Sequence, residues 1–220
     1  MDPDFWHERW RSNRIAFHND EVNPVLETNL SRLRLEPGAR VFVPLCGKSL
    51  DMLWLCRQGF RVLGVEISPI AVRAFFEENG LGYREQRQGP FTSLEGDTVH
   101  LLCGDFFDLR PVDVAEVSGV YDRASLIALL PAQRQNYARH LLHLLPRRLP
   151  VLLVTLEYPQ HEMNGPPFSV GEAEVRELFG GAYDVQVLCV RDALHTEARF
   201  RERLTRLTER GYLLANAGGG

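Results

Sequence analysis

The chain has little that would carry metal, redox or membrane chemistry. Its 220 residues contain four cysteines, Cys46, Cys56, Cys103 and Cys189. None forms a C-x-x-C pair, so neither a zinc site nor a redox dithiol is indicated, and reduced, mostly buried thiols are expected. Cys46 has no His or acid nearby in sequence to make it a nucleophile. His140 and His143 lie three apart on a predicted helix but lack a third ligand, so no metal site is expected. No apolar run is long enough to span a bilayer. The acidic start, Met1-Asp2-Pro3-Asp4, lacks a signal-peptide pattern, and a cytoplasmic location is the expectation. The net charge of −4 argues against a broad nucleic-acid or anionic-membrane surface. Neither a repeat nor a linker is visible, so residues 1–220 are expected to form one domain with a full core.

Two nucleotide fingerprints are missing as well. The dinucleotide pattern G-x-G-x-x-G is absent. Gly47-Lys48-Ser49 looks like the end of a phosphate-binding P-loop, but Phe42 stands where that loop needs its first glycine. What is present is a strand-like run, Val41–Pro44, a turn containing Gly47, a short helix, and a second strand-like run, Arg61–Val65, ending in Glu66. An acid about 20 residues after such a loop suits the two ribose hydroxyls of an adenosine ligand, because a carboxylate can accept from both at once. With no pyrophosphate cradle, S-adenosylmethionine fits. An ordinary βαβ unit with an incidental acid fits this spacing equally well.

Alternation of strand and helix signals continues along the chain. Strands are expected near 40–44, 61–66, 99–103, 119–121, 151–156, 183–190 and 211–215. The polar stretch 82–98 carries short strands at most. Helices are expected from Asn23-Pro24 to Pro37, near 49–57, from Ser68-Pro69 to Asn79, from Pro131 to Leu145, and after the Ser169/Glu172 capping-box pattern. Such alternation predicts an α/β fold, a mostly parallel sheet covered by helices on both faces. Ligands of such sheets bind at the carboxyl ends of the strands. Leu45, Glu66, Asp105 and Asp122-Arg123 all fall just after the first four main strands.

Each of these residues has a bland reading beside the functional one. Leu45 offers backbone groups and apolar surface. Asp105 suits an exocyclic amine and Phe106 the face of a base, yet Gly104-Asp105 is also a common turn pair. Arg123 suits a carboxylate in forked geometry and also an anionic acceptor substrate, or it braces Asp122. Trp6, Trp10 and Phe17 argue that residues 1–22 dock on the domain, as a lid or as a core cover. His18 and Asp122 are the local candidates for proton transfer, with a lid hydrogen bond as the bland role of His18, and Lys48 suits a loop carbonyl or a nearby acid. Residues 217–220 are expected to fray.

Read together, Phe42-Val43-Pro44-Leu45-Cys46-Gly47-Lys48-Ser49, Gly64-Val65-Glu66-Ile67-Ser68, Trp6, Trp10, Ala16-Phe17-His18 and Tyr121-Asp122-Arg123-Ala124 resemble the thiopurine S-methyltransferases, the bacterial ones in particular, from about Phe5 to about Asn216. The resemblance implies a class I S-adenosylmethionine-dependent methyltransferase fold, Rossmann-like, with a seven-stranded sheet whose last strand is antiparallel. It implies that Trp10, Leu45, Glu66 and Arg123 bind the cofactor, that residues 10–17 form a lid, and that Phe17 contacts an aromatic substrate. It further implies a monomer that methylates thiopurines and other aromatic or heterocyclic thiols, and selenium or tellurium species as further acceptors. No dedicated general base is expected. The alternatives are a non-catalytic adenosine-ligand sensor and a small NTPase.

Overall fold

The computed structural model describes residues 3–15, 18–145, 147–196 and 198–216. In chain order its elements are α1 (Pro3–Arg11), α2 (Pro24–Asn29), β1 (Arg40–Pro44), α3 (Asp51–Arg57), β2 (Arg61–Glu66), α4 (Pro69–Glu78), β3 (Arg84–Gln88), β4 (Phe91–Glu95) and β5 (Val99–Cys103). There follow β6 (Val117–Arg123), α5 (Ser125–Ala128), α6 (Pro131–Leu144), β7 (Val151–Glu157), α7 (Glu172–Phe179), β8 (Asp184–Asp192) and β9 (Thr208–Ala215). The strand order in the sheet is β3-β4-β5-β2-β1-β6-β7-β9-β8. Two compact units make up the chain. One comprises the described residues up to Glu27 together with Leu35–Tyr121, the other Thr28–Arg34 with those from Asp122 onward.

In the first unit, β1 pairs in parallel with β2, and β2 with β5. These central strands are near-continuous apolar runs because both of their faces are buried; Val62–Glu66 are buried without a break. Helix α4 begins with Ser68, whose hydroxyl accepts from the Ala71 amide at 3.3 Å, and with Pro69 at the first turn. Gly80, at φ +63°, follows its end in the left-handed region. Phe75 and Phe76 on α4 are fully buried, and truncating either to Ala is expected to cost about 3–5 kcal/mol.

The expected strand and helix positions are largely found, with four corrections. The sheet has nine strands, not seven. The two extra strands are the antiparallel hairpin β3–β4, which joins the sheet through an antiparallel β4–β5 pairing. Arg84–Arg87 of β3 are exposed throughout, so no apolar alternation announced that strand. Second, residues 3–11 are helical. Pro3 opens the helix, Asp4 lies in its first turn, and Arg9 and Arg11 lie in its last, which suits the helix dipole. Third, Ser169 does not cap α7. That helix starts at Glu172 after Gly171, and the Ser169 hydroxyl accepts from the Tyr158 amide at 3.0 Å. The helix expected from Asn23 to Pro37 is shorter: α2 passes into a 3-10 turn, Leu30–Leu33, which Arg34 ends at φ +48°.

In the second unit, β9 runs antiparallel to both β7 and β8. This is the expected antiparallel last strand, three residues longer than the sequence suggested because Thr208-Glu209-Arg210 carry no apolar signal.

Candidate functional site

Strand register puts three loop starts side by side in the first unit. Pro44 is level with Val65, and Glu66 with Cys103. The turn after β1, the end of β2 and Gly104-Asp105 after β5 therefore meet at the carboxyl edge of the parallel strands. Leu45 has φ +47° and Gly47 φ +54°. Only the glycine enters that region without steric cost; for Leu45 the cost is about 1–2 kcal/mol. A tight reversal thus lets the chain turn back against β2, where the Cys46 amide donates to the Val65 carbonyl at 3.0 Å. A Cβ on Gly64 would stand 2.8 Å from the Cys46 sulfur, so β2 needs a glycine for this turn to pack.

Glu66 is 7% exposed. Its Oε2 accepts from the Gly47 amide at 3.0 Å and its Oε1 from the Ser68 amide at 2.8 Å. Burial pushes its pKa up, and the backbone N–H groups of Ser68, Gly47 and Ile67 pull against that. A carboxylate has about four acceptor positions, so these backbone donors leave it capacity to accept from a ligand. Two acceptors on one rigid carboxylate match a vicinal diol. The residues present therefore fit an adenosine ribose.

Trp10 sits over the same turn. It is buried, and a methyl group on Gly47 would touch its indole at 3.5 Å. Helix α1, which carries it, packs on α4. Asp105 caps a 3-10 turn, Phe106–Asp108, its Oδ1 accepting from the Phe107 amide at 2.9 Å. Phe106 is 1% exposed and part of the core. Phe107, half-buried at 5.4 Å from the Phe106 ring, presents the more accessible aromatic face. Nothing in a Phe-Phe pair tells which ring turns outward. Phe17 lies outside the described residues. His18 is half-buried, with Nε2 3.7 Å from Asp20 Oδ1.

Lys48 donates to both carboxylate oxygens of Glu78, at 2.7 Å each. The NTPase reading therefore lacks its phosphate-binding lysine as well as its glycine. The thiols of Cys46 and Cys103 are both raised, Cys46 well above the ordinary range and Cys103 to about 11, by burial first and then by the Glu66 charge. A thiol held protonated is a poor nucleophile, so Cys46 packs rather than reacts. Among the described residues no group of three His, Cys, Asp or Glu could hold a metal ion, and no helix is long and apolar enough to cross a membrane.

Arg123, in the second unit, is the last residue of β6 and is half-buried. Ala124 follows it at φ +71°, another left-handed non-glycine residue at a strand end. Asp122 is fully buried, and its Oδ2 accepts from the Tyr137 hydroxyl at 2.7 Å. Burial raises its pKa to about 6 against hydrogen bonds from Tyr137 and Ser125 that favour the anion, although its Oδ1 has no donor in good geometry. This is the environment of a brace behind the turn. Its complete burial suits that brace better than the proton-transfer role open to Asp122 in sequence. Arg134 was not legible at all. It lies buried on α6, donating to the Leu126 and Leu129 carbonyls at 3.1 Å and to both oxygens of Glu174 at 2.7 Å.

The structure superposes on the 1,6-didemethyltoxoflavin-N1-methyltransferase of Burkholderia thailandensis, solved with 1,6-didemethyltoxoflavin and S-adenosylhomocysteine, with a TM-score of 0.64. The two share 15% identity over 97% of this chain and 87% of that one. The fold is that of a class I S-adenosylmethionine-dependent methyltransferase. At the level of sequence, the chain is 50% identical to the thiopurine S-methyltransferase of Nitrosospira multiformis over 97% of this chain and 98% of that protein. It is also 50% identical to that of Methylococcus capsulatus, over 97% of each. The family profile of thiopurine S-methyltransferase matches residues 1–217, and the chain belongs to that family.

Proposed function

We propose that Trp10, Leu45, Glu66 and Arg123 hold S-adenosylmethionine for transfer of its methyl group to thiopurine sulfur, the reaction of this family. The observation that carries the assignment is the Glu66 carboxylate, buried at the carboxyl end of β2 and fixed by backbone amides, with acceptor capacity left over. When bound, the donor supplies an electrophilic methyl group on a sulfonium sulfur. Everything else falls to the chain. Glu66 accepts from the ribose hydroxyls. The Leu45–Gly47 turn offers backbone groups at close range. Asp105 keeps an oxygen for an adenine amine, with Phe106 and Phe107 beside it. Trp10 excludes water above the turn. Arg123 takes the donor's carboxylate in its planar fork. Phe17 and His18, in the segment after α1, are assigned to the acceptor.

Substitution at a methyl carbon is an in-line displacement, so the protein contributes chiefly by orientation and by a dry site. Among the described residues no nucleophile–base pair is evident, and aromatic or heterocyclic thiols reach neutral pH largely as thiolates, being more acidic than an alkyl thiol of pKa about 8.5. The acceptor class thus extends from thiopurines to other aromatic and heterocyclic thiols, and to anionic selenium or tellurium species. A monomer acting in the cytoplasm fits the small-molecule acceptor and the net charge of −4.

The test is kcat/KM for methyl transfer against pH, for two thiopurine-type thiols of different acidity, with wild type and His18→Ala. Each profile should follow its own substrate's thiol pKa in both proteins. A single pKa common to both substrates, and lost in His18→Ala, would make His18 a base and refute the mechanism.

A further inference from the structure

We infer that Lys48 is a positioning residue for the donor site, acting with Glu78 to hold the Leu45–Gly47 turn against Glu66. The inference rests on the assignment of Glu66 to the ribose. Lys48 directly follows Gly47, whose amide donates to Glu66 Oε2. Its side chain is only 11% exposed, so the stem is laid against the protein and only the ammonium has a charged partner. That partner, Glu78, is the last residue of α4. The other end of the same helix is tied to the same acid: Ser68, its N-cap, donates its amide to Glu66 Oε1. Glu66 and Lys48 therefore clamp the turn to the two ends of α4. A cation at a helix C-terminus is also favoured by the helix dipole.

The turn needs such a clamp. Two of its residues, Leu45 and Gly47, occupy the left-handed region, and Leu45 does so at a steric cost. Without the Lys48 tether, the segment relaxes toward ordinary backbone angles. The Gly47 amide then leaves Glu66, the carboxylate loses one of the two bonds that aim it, and Trp10 loses its seat on Gly47. Glu78 is 54% exposed, which weakens the pair electrostatically, but it gives the ammonium at the end of the packed Lys48 stem a fixed partner. With its ammonium committed to both Glu78 oxygens at the far end of α4, the lysine is assigned to act on the site through the turn and not by touching the ligand.

The experiment uses the full chain and the variants Lys48→Met, Lys48→Arg, Glu78→Gln and Glu66→Ala. Affinity for S-adenosylhomocysteine is measured by calorimetry, kcat and donor KM are measured separately, and Gly47 amide exchange is followed by NMR. Lys48→Met and Glu78→Gln should each raise the dissociation constant and the donor KM about five- to tenfold, with kcat changed by less than about twofold. Gly47 should exchange faster in both, Lys48→Arg should recover most of the affinity, and the Lys48→Met/Glu78→Gln double variant should be no worse than the weaker single. Loss of affinity in Lys48→Met with Glu78→Gln unaffected would overturn the proposal in favour of direct ligand contact. Unchanged affinity in both, with Glu66→Ala impaired, would overturn it and leave the donor site standing. Unchanged affinity in Glu66→Ala as well would remove the donor-site assignment and the inference with it.

Discussion

Glu66 holds its own loop and is proposed also to accept from the donor, and replacement should separate the two. Glu66→Ala should weaken S-adenosylhomocysteine binding by roughly 1.5–3 kcal/mol, the range for a charge-assisted hydrogen bond. Glu66→Gln, which keeps one acceptor and the volume, should lose less. Proton linkage gives a second check. Burial raises the Glu66 pKa, and ribose hydroxyls favour the anion, so affinity should fall as pH is lowered through that raised value. Binding in mildly acidic buffer should release protons, seen as a buffer-dependent calorimetric enthalpy; a buffer-independent enthalpy would remove Glu66 from the site. Asp122 runs differently. Its folded pKa, about 6, lies above the ordinary 3.8, so its favourable contribution to stability is complete below about pH 3.8 and is lost as pH rises through about 6. Asp122→Asn should therefore raise the melting temperature more at about pH 8 than at about pH 4. As a brace and not a base, it should also keep activity within about tenfold, where loss of a general base costs 10²–10⁴. Glu66 was readable because one acid follows one strand at one characteristic distance. The burial of Asp122 was not, because it depends on Tyr137, a turn and a helix away.

Helix α1 carries Trp10 onto the donor turn, and its removal should harm the site more than the fold. Deleting residues 1–18 should abolish methyl transfer while the remaining chain still melts cooperatively, and hydrogen exchange should show α1 more protected with S-adenosylhomocysteine bound. Equal protection with and without the ligand would reduce α1 to a core cover. The aromatic content of this segment was legible; its helicity was not, because Trp6 and Trp10 repeat at helical spacing only once in nine residues. Central strands β1, β2 and β5 stood out as apolar runs because the sheet buries both of their faces. The β3 edge strand, exposed nearly throughout, had no such signature. Ser169 and Glu172 imitate a capping box, but the serine is recruited by Tyr158, and local pattern cannot see a partner 11 residues back.

At the scale of the whole molecule, the donor site depends on topology more than on any motif. Parallel strands with helical crossovers bring Leu45, Glu66 and Asp105 to one edge of the sheet from positions 60 residues apart, and Arg123 ends a strand of the same sheet. That convergence followed from the strand–helix alternation alone. The acceptor did not, because the side chains proposed to recognise it, Phe17 and His18, carry no chemical signature in their spacing. The most direct measurement is transfer of a labelled methyl group from S-adenosylmethionine to a thiopurine, with product analysis by mass spectrometry, in wild type and Glu66→Ala. Wild type should give the S-methylated thiopurine and an equal amount of S-adenosylhomocysteine, and Glu66→Ala should need a higher donor concentration for the same rate. Donor binding without labelled product, or a product methylated on nitrogen, would contradict the account.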